Sequence, residues 1–475
     1  MLKLVLGASG SGKTTLLYAR IRARAEAGKR SILLVPEQFT SSTEARIYRE
    51  LGDALSGMVE SYSFTSLAEH ILAIEGGAAV QTLTDAGRAV LVRRALEELQ
   101  DNVHYYYRHR RSAAFCQMAA ETIDELKSAG LSGQQLQELA RDCGTESAKL
   151  GELALIFQGY ESLLAGTGMD PADRLELAAD RLEAALARDE LPDFLREREV
   201  FIDEFDTFNA PKKRLMGAML AALPAVTVAL CEDGAPMQPG DLELFSGAKQ
   251  VAAQLRQLAR KNGAQVAAPE LLRRDLRHKD TPGLAALTEL LETGSCTPPE
   301  SAPELRLFAA ASREEEARCA AAAIRRLMRQ GVRCGKIAVV CRDISLYRAA
   351  VRYEFRMAEI PLYCDEPTTP EFSAPATAVR ALLALLRGAD MTEQLTVLAK
   401  TGLCDLTEPE VCALENYAYT WSPNAAAWRA EFTKSPRGFG DAELTEEDTL
   451  NLTRAENARK KLVTAVDTLR SKVRS

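Results

Sequence analysis

The sequence holds no run approaching the roughly 18 consecutive apolar residues that a membrane-spanning helix needs, so an integral helical membrane protein is excluded. A secretory leader is not expected either. The short apolar run after Met1 ends at Gly7 in a loop of small polar residues, and no cleavage site follows. None of the ten cysteines forms a C-x-x-C pair; Cys334 and Cys341 come nearest, seven positions apart. Zinc and iron–sulfur frameworks usually start from tighter pairs, so the thiols are expected to be free in a reducing cytoplasm. His70, His104, His109 and His278 have no ligand spacing. Excess positive charge is missing too: 59 Lys and Arg stand against 67 Asp and Glu, a net charge of −8. That argues against a surface coated for nucleic acid and leaves room for a local groove. There is no internal repeat and no low-complexity tract.

What is present is ordinary globular material, with 47% hydrophobic and 27% charged residues. At about 150 residues per domain, 475 residues suggest about three domains. The opening reads strand (Leu2–Leu6), Gly/Ser-rich loop, then helix from Thr14 to Gly28. A second strand, Ser31–Val35, stops at Pro36. From about residue 80 the pattern is helical for a hundred residues, with helix starts at Ser132/Gln135 and Asp170-Pro171. Strands return at Glu199–Ile202 and Val226–Cys231, around a helix at Ala210–Leu223. Residues 293–303 read as a linker. Beyond it a β-α-β-α-β pattern is expected, with strands at Leu305–Ala309, Lys336–Cys341 and Ile360–Cys364. Ser312/Glu315 should cap one helix, and Asp343 should open another. From about 376 onward the chain reads as helix, with a capping box at Thr407/Glu410. The last helix has no Gly or Pro stop, as expected of a chain cut from something longer.

The motif with the clearest chemistry is Gly7-Ala-Ser9-Gly10-Ser11-Gly12-Lys13-Thr14, followed by Thr15, which matches G-x-x-x-x-G-K-[ST] in full. Its glycines let backbone N–H groups close around phosphate oxygens, and the helix N-terminus adds positive dipole. Lys13 is expected at the β and γ phosphates, and the Thr14 hydroxyl on Mg²⁺. Such a loop needs an acidic partner on a neighbouring strand. Glu199-Val-Phe-Ile-Asp203-Glu204 supplies one, with Asp203 expected to bind Mg²⁺ through water and Glu204 to act as general base. The 189 positions between Thr14 and Asp203 suit an ATPase core carrying a helical insertion better than a compact kinase. Arg342 could reach a γ-phosphate, but on its pattern alone reads as a surface residue at a strand end. Tyr105-Tyr-Tyr-Arg108-His-Arg110-Arg111 interleaves aromatic and basic residues, as base-stacking surfaces do. A partly buried helix with a solvated basic face explains the run more simply, and the same holds for Arg318, Arg325 and Arg326.

Six segments together resemble the B subunit of the AddAB (RexAB) ATP-dependent helicase/nuclease, a relative of superfamily 1 helicases. They are GASGSGKTT; LLVPEQFTSSTEARIY, similar to helicase motif Ia; VESYSFTSLAEHIL; VFIDEFDTFNAPKKRLM at the motif II position; SREEEARCAAAAIRRLMRQGVRCGKIAVVCRD, similar to motif IV; and LENYAYTW. The resemblance implies an α/β fold: a P-loop RecA-like parallel-sheet lobe with a helical insertion, then a partial second RecA-like lobe and a helical segment. In the family's terms residues 1–80 and 190–292 would form lobe 1A and residues 81–189 insertion 1B. Residues 304–375 would begin lobe 2A, and 376–475 insertion 2B. It implies ATP and Mg²⁺ at Lys13, Thr14, Asp203 and Glu204, makes Arg342 the motif IV arginine, and sets Gln38, Thr40 and Ser63 near a DNA path.

It also implies an AddA-type motor/nuclease partner and double- and single-stranded DNA as ligands, in the repair of double-strand breaks by recombination. No Q-x-D-R segment follows the strand at 226–231, where the sequence reads ALCEDGAPMQPGD. That segment couples ATP to strand movement in active helicases, so its absence argues against motor activity. With the rest of lobe 2A and its site-closing arginines outside the likeness, weak ATP binding and little or no hydrolysis are expected of this chain alone. The family's nuclease site and 4Fe–4S cluster belong to a C-terminal part outside the likeness. A self-sufficient single-strand translocase and, more remotely, a P-loop small-molecule kinase are the alternatives.

Overall fold

A computed structural model describes residues 1–77, 81–99, 101–236, 244–364, 370–440 and 443–474. The chain forms two compact units, Met1–Leu307 and Phe308–Ser475.

In the first unit the chain runs through β1 (Leu2–Gly7), α1 (Lys13–Glu26), β2 (Ser31–Leu34), α2 (Thr40–Ser56), β3 (Val59–Tyr62) and α3 (Phe64–Glu75). A helical stretch follows: α4 (Asp85–Glu98), α5 (Ala113–Ser128), α6 (Gly133–Ala140), α7 (Ser147–Leu164) and α8 (Pro171–Ala187). The chain then returns to the sheet with β4 (Glu199–Ile202), α9 (Ala210–Ala222), β5 (Ala225–Cys231), α10 (Ser246–Lys261), β6 (Glu270–Leu272) and α11 (Pro282–Thr293).

All six strands are parallel, in the order β3-β2-β4-β5-β1-β6. Successive side chains of a strand point to opposite faces, and here both faces are buried. Leu2, Leu4 and Leu6 of β1 enter one core, with residues of α3, α8, α9 and α10. Val5, between them, enters the other, with Leu17 and Ile21 of α1 and Ile47 and Leu51 of α2. A sheet covered on both sides reads as near-continuous apolar runs, which is why β1, β2, β4 and β5 are legible in the sequence. β3 and β6 were not anticipated. β3 has hydrophobic residues only at its two ends, Val59 and Tyr62, and lies at the sheet edge, and β6 is three residues long.

Helices α4 to α7 enclose a core of their own around Phe157, Tyr160 and Ile123, while α8 packs into the core beneath the sheet. The expected helix starts are formed. Ser132 and Gln135 make a reciprocal capping box, and so do Asp170 and Asp173 ahead of Pro171.

The second unit contains α12 (Arg313–Arg329), α13 (Ile344–Met357), α14 (Ala374–Leu386), α15 (Met391–Lys400), α16 (Glu408–Trp421), α17 (Ala425–Arg429) and α18 (Glu446–Arg474). Ser312 caps α12, Asp343 caps α13, and Thr407/Glu410 form a capping box on α16. Trp428 and Leu414 centre the larger core, and α12 packs with α13 around Phe355.

The three strands expected at Leu305–Ala309, Lys336–Cys341 and Ile360–Cys364 are not formed. Residues 305–309 and 360–364 are irregular coil, and 336–341 begins in a 3₁₀ turn and continues as coil. A strand is held by ladder hydrogen bonds to a neighbour, and among the described residues these segments have none. Leu307 is fully exposed, Val340 is 89% exposed and Tyr363 87%.

Candidate nucleotide-binding site

In a parallel sheet, ligands bind beyond the carboxyl ends of the strands. Here the register brings the chemistry to that edge. Gly7, the last residue of β1, pairs with Cys231 on β5 and with Leu272 on β6. Ile202, the last residue of β4, pairs with Val228. The P-loop and Asp203 therefore leave the same edge one strand apart. They line a cleft of about 540 Å³ with Ser9, Gly10, Gly12, Lys13, Thr14, Thr15, Glu204, Asp206, Cys231, Arg46, Leu276 and Arg277.

The loop's glycines are sterically required. A Cβ on Gly7 would lie 2.4 Å from Ser11 Oγ and 2.7 Å from the Leu272 carbonyl oxygen. Gly10 and Gly12 adopt φ of 81° and 91°, which side chains of L residues disfavour. The Lys13 ammonium is folded onto the loop, donating to the carbonyls of Gly7 (2.7 Å) and Ala8 (2.8 Å). Ser11 is 5% exposed, and its hydroxyl has no partner among the described residues. Buried polar atoms are normally satisfied, so an unpartnered hydroxyl under a glycine-lined loop fits a loop shaped for a polyanion.

Asp203 is buried, and its backbone N–H donates to the Leu34 carbonyl (3.1 Å). Its Oδ1 accepts the N–H of Glu204 (3.0 Å). Glu204 stands exposed at the cleft mouth with φ of 64°. That left-handed backbone is uncommon for a residue with a side chain and turns Glu204 away from the strand direction. Partial desolvation, then the adjacent Asp203 carboxylate, push the Glu204 carboxyl above its ordinary range; Arg46 opposes them. Burial lowers the Lys13 amine from its usual value, with the Asp203 carboxylate opposing the shift and Arg277 adding to it.

Two arginines in the cleft were not foreseen. Arg46 comes from α2 and lies over the Tyr18 ring, 4.9 Å from its centroid. Arg277 follows β6. Because β6 pairs in parallel with β1, the chain leaving β6 crosses the P-loop: Leu276 N–H donates to the Gly10 carbonyl (3.0 Å), and the Arg277 guanidinium to Ser9 Oγ (3.2 Å). Asp275 fixes this crossing by accepting the N–H of Arg277 (3.0 Å) and of His278 (3.1 Å). No local pattern links residue 277 to residue 9; only the strand order does.

The remaining predicted residues lie elsewhere. Arg342 belongs to the second unit, where it is exposed just before α13. Gln38 is exposed in a 3₁₀ turn after β2. Thr40 opens α2 and donates to the Glu37 carbonyl (3.0 Å). Ser63 is 4% exposed and caps α3, its Oγ accepting the Ser66 N–H (3.1 Å). Gln38, Thr40 and Ser63 follow β2 and β3 at the same sheet edge as the P-loop. The segment compared with Q-x-D-R runs partly through residues 237–243, outside the described residues.

The sequence-family profile described as "ADDB, N-terminal" matches residues 4–288, which include all of the sheet but the first two residues of β1 and every residue of the cleft. This chain belongs to the AddB family. Its curated relatives are named as the B subunit of an ATP-dependent helicase/deoxyribonuclease. The one from Desulforudis audaxviator is 32% identical over 90% of this chain and 37% of its own length. Its counterpart in Moorella thermoacetica is 31% identical over 90% of this chain and 38% of its own. The Clostridium perfringens protein is 27% identical over 98% and 41%. This AddB-family chain thus spans about two-fifths of the length of these relatives, whose names make each one part of a larger enzyme. Among its described residues no helix is long and apolar enough to cross a membrane, and all ten cysteines are free.

Proposed function

We propose that this chain binds ATP with Mg²⁺ in the cleft at the end of β1. It acts beside an AddA-type motor/nuclease partner as the DNA-binding, ATP-binding half of a helicase/nuclease that processes double-strand ends for recombinational repair. The supporting observation is the convergence of Lys13, Thr14, Arg46, Asp203, Glu204 and Arg277 on one cleft, from four separate segments of the chain.

The loop N–H groups and Lys13 would hold the phosphates, with Lys13 exchanging its bonds to the Gly7 and Ala8 carbonyls for phosphate oxygens. The Thr14 hydroxyl and the Asp203 carboxylate would hold the metal, as hard oxygen ligands suit magnesium. A bound magnesium ion neutralises charge on the β and γ phosphates. Arg277, swinging from Ser9, and Arg46 supply further positive charge at the cleft mouth. Gln38, Thr40 and Ser63 would mark a DNA path along the same edge. Ser63 reaches DNA only if its capping bond is shared, so Gln38 and Thr40 are the better contacts.

A second reading, a motor able to hydrolyse ATP unaided, is favoured by Glu204 beside Asp203 and by two arginines already within the first unit. In that reaction the oxygen of a water bonds to the γ-phosphorus, the bond to the β–γ bridging oxygen breaks, and the water's proton passes to Glu204.

Binding of a fluorescent ATP analogue, with turnover measured with and without single-stranded DNA, tests both readings. Lys13→Ala should weaken nucleotide binding by roughly 30- to 1,000-fold, the scale of removing one partner from a desolvated charge pair. Unchanged affinity in that variant would overturn the nucleotide site. Brisk DNA-stimulated turnover by the unmodified chain would favour the unaided motor.

A further inference from the structure

We infer that the loop at residues 104–111, on the helical stretch between β3 and β4, is a contact site for single-stranded nucleic acid, separate from the nucleotide cleft and from the residues after β2 and β3. The loop joins α4 to α5 and is held from beneath. The buried Glu152 carboxylate of α7 accepts three successive backbone N–H groups, those of His104 (2.7 Å), Tyr105 (2.7 Å) and Tyr106 (3.1 Å). Tyr106 packs inward on Phe115, with ring centroids 5.0 Å apart. The next residues close a 3₁₀ turn, and Ser112 caps α5.

With the backbone fixed, the outward side chains have a consistent character. Tyr105 and Tyr107 are 59% and 49% exposed. Arg108 and Arg111 are exposed, and Arg110 lies over one face of the Tyr107 ring, 3.5 Å from its centroid. None of the three arginines forms an ion pair with a carboxylate of the described residues, although Arg93 and Arg94 on α4 each pair with a glutamate four positions on. Residues 104–111 contain no carboxylate in a chain of net charge −8. The Arg110 guanidinium also donates to the Tyr107 carbonyl (2.8 Å), and Tyr105 meets the Tyr106 ring edge-on, whereas no side-chain partner among the described residues accounts for Arg108 and Arg111.

Exposed aromatic rings beside the Arg108 and Arg111 guanidinium groups, which form no ion pair among the described residues, on a preordered backbone match a single strand, whose bases expose their faces for stacking while its phosphates meet the arginines. An arginine already stacked on Tyr107 leaves the opposite ring face for a base. A duplex keeps its bases stacked on one another and offers only phosphates, so the aromatic half of the loop selects the single strand.

Fluorescence anisotropy with a labelled dT20 strand, a U20 strand and a dT20·dA20 duplex, each across a salt series, tests this. The triple variant Arg108→Ala/Arg110→Ala/Arg111→Ala should lower the slope of log affinity against log salt for dT20 by about 2, at about 0.7 per phosphate contact on a single strand. Tyr107→Leu and Tyr105→Leu should each weaken dT20 binding roughly fivefold or more. These side chains are exposed, so an unchanged circular dichroism melt is expected. Arg325→Ala/Arg326→Ala/Arg329→Ala on α12 removes the same charge elsewhere and should leave the slope alone. An unchanged slope in the loop variant, an equal loss in the α12 variant, tighter binding to the duplex, or no dT20 binding at low salt would each overturn the inference. U20 binding equal to dT20 means that stacking and phosphate carry the contact; U20 binding alone would assign the loop to RNA. Lys13→Ala should weaken ATP binding and keep the dT20 slope, so failure of the nucleotide site and failure of this loop are read separately.

Discussion

Glu204 shows what the site asks of one residue. Its backbone sits at φ of 64°, and its carboxyl is raised by desolvation and by Asp203. A carboxyl whose folded pKa lies above its unfolded value opposes folding once ionised. The opposition is absent below about pH 4.5 and grows as pH rises through the raised folded value. Glu204→Gln should therefore melt higher than the unmodified chain at pH 7 to 8, by less than about 1 kcal/mol because an exposed carboxylate is screened. The gain should vanish as the pH falls toward 4.5, and thermal melts across that range read it directly. The same substitution removes the proposed base, so any ATP turnover should fall as stability rises. A variant that melts lower at pH 8 would remove the electrostatic account of this position.

At the scale of elements, caps separate structural from binding roles. Ser63 satisfies the first turn of α3, so Ser63→Ala should cost about 1 kcal/mol in urea denaturation, and Ser63→Thr should restore most of it. If Ser63→Thr restores stability but not DNA affinity, the serine does more than cap. Capping and punctuation were also the most legible part of the sequence. Ser132, Asp170, Ser312, Asp343 and Thr407 all start helices where their side chains can accept a backbone N–H. The P-loop and the acid-ended strand β4 were legible for a related reason: each is a local pattern of apolar run, then polar turn. β3, β6, Arg46 and Arg277 were not, because their places depend on strand order and on partners far along the chain. The three strands expected after residue 304 misled in the opposite direction. Apolar, β-branched runs such as Ile337–Cys341 fit a strand, but propensity supplies no neighbour to pair with.

For the whole molecule those unpaired runs have a solution consequence. Leu307, Val340 and Tyr363 hold exposed apolar surface in segments that pair with no strand among the described residues, a template for association between chains. Val340→Lys and Tyr363→Lys should reduce concentration-dependent light scattering without lowering the melting temperature; scattering that stays the same would place the sticky surface elsewhere. The strand order has a further consequence, in time rather than space. The two sides of the nucleotide cleft, Lys13 and Arg277, are 264 positions apart. β6 must dock on β1 before Leu276 and Arg277 can cross the P-loop. At a synthesis rate of roughly 5–20 residues per second, the P-loop of a nascent chain waits roughly 13–53 seconds for its arginine. During that interval the glycine loop and the β1 edge stand open, and the growing chain depends on whatever shields them until its own later segment arrives.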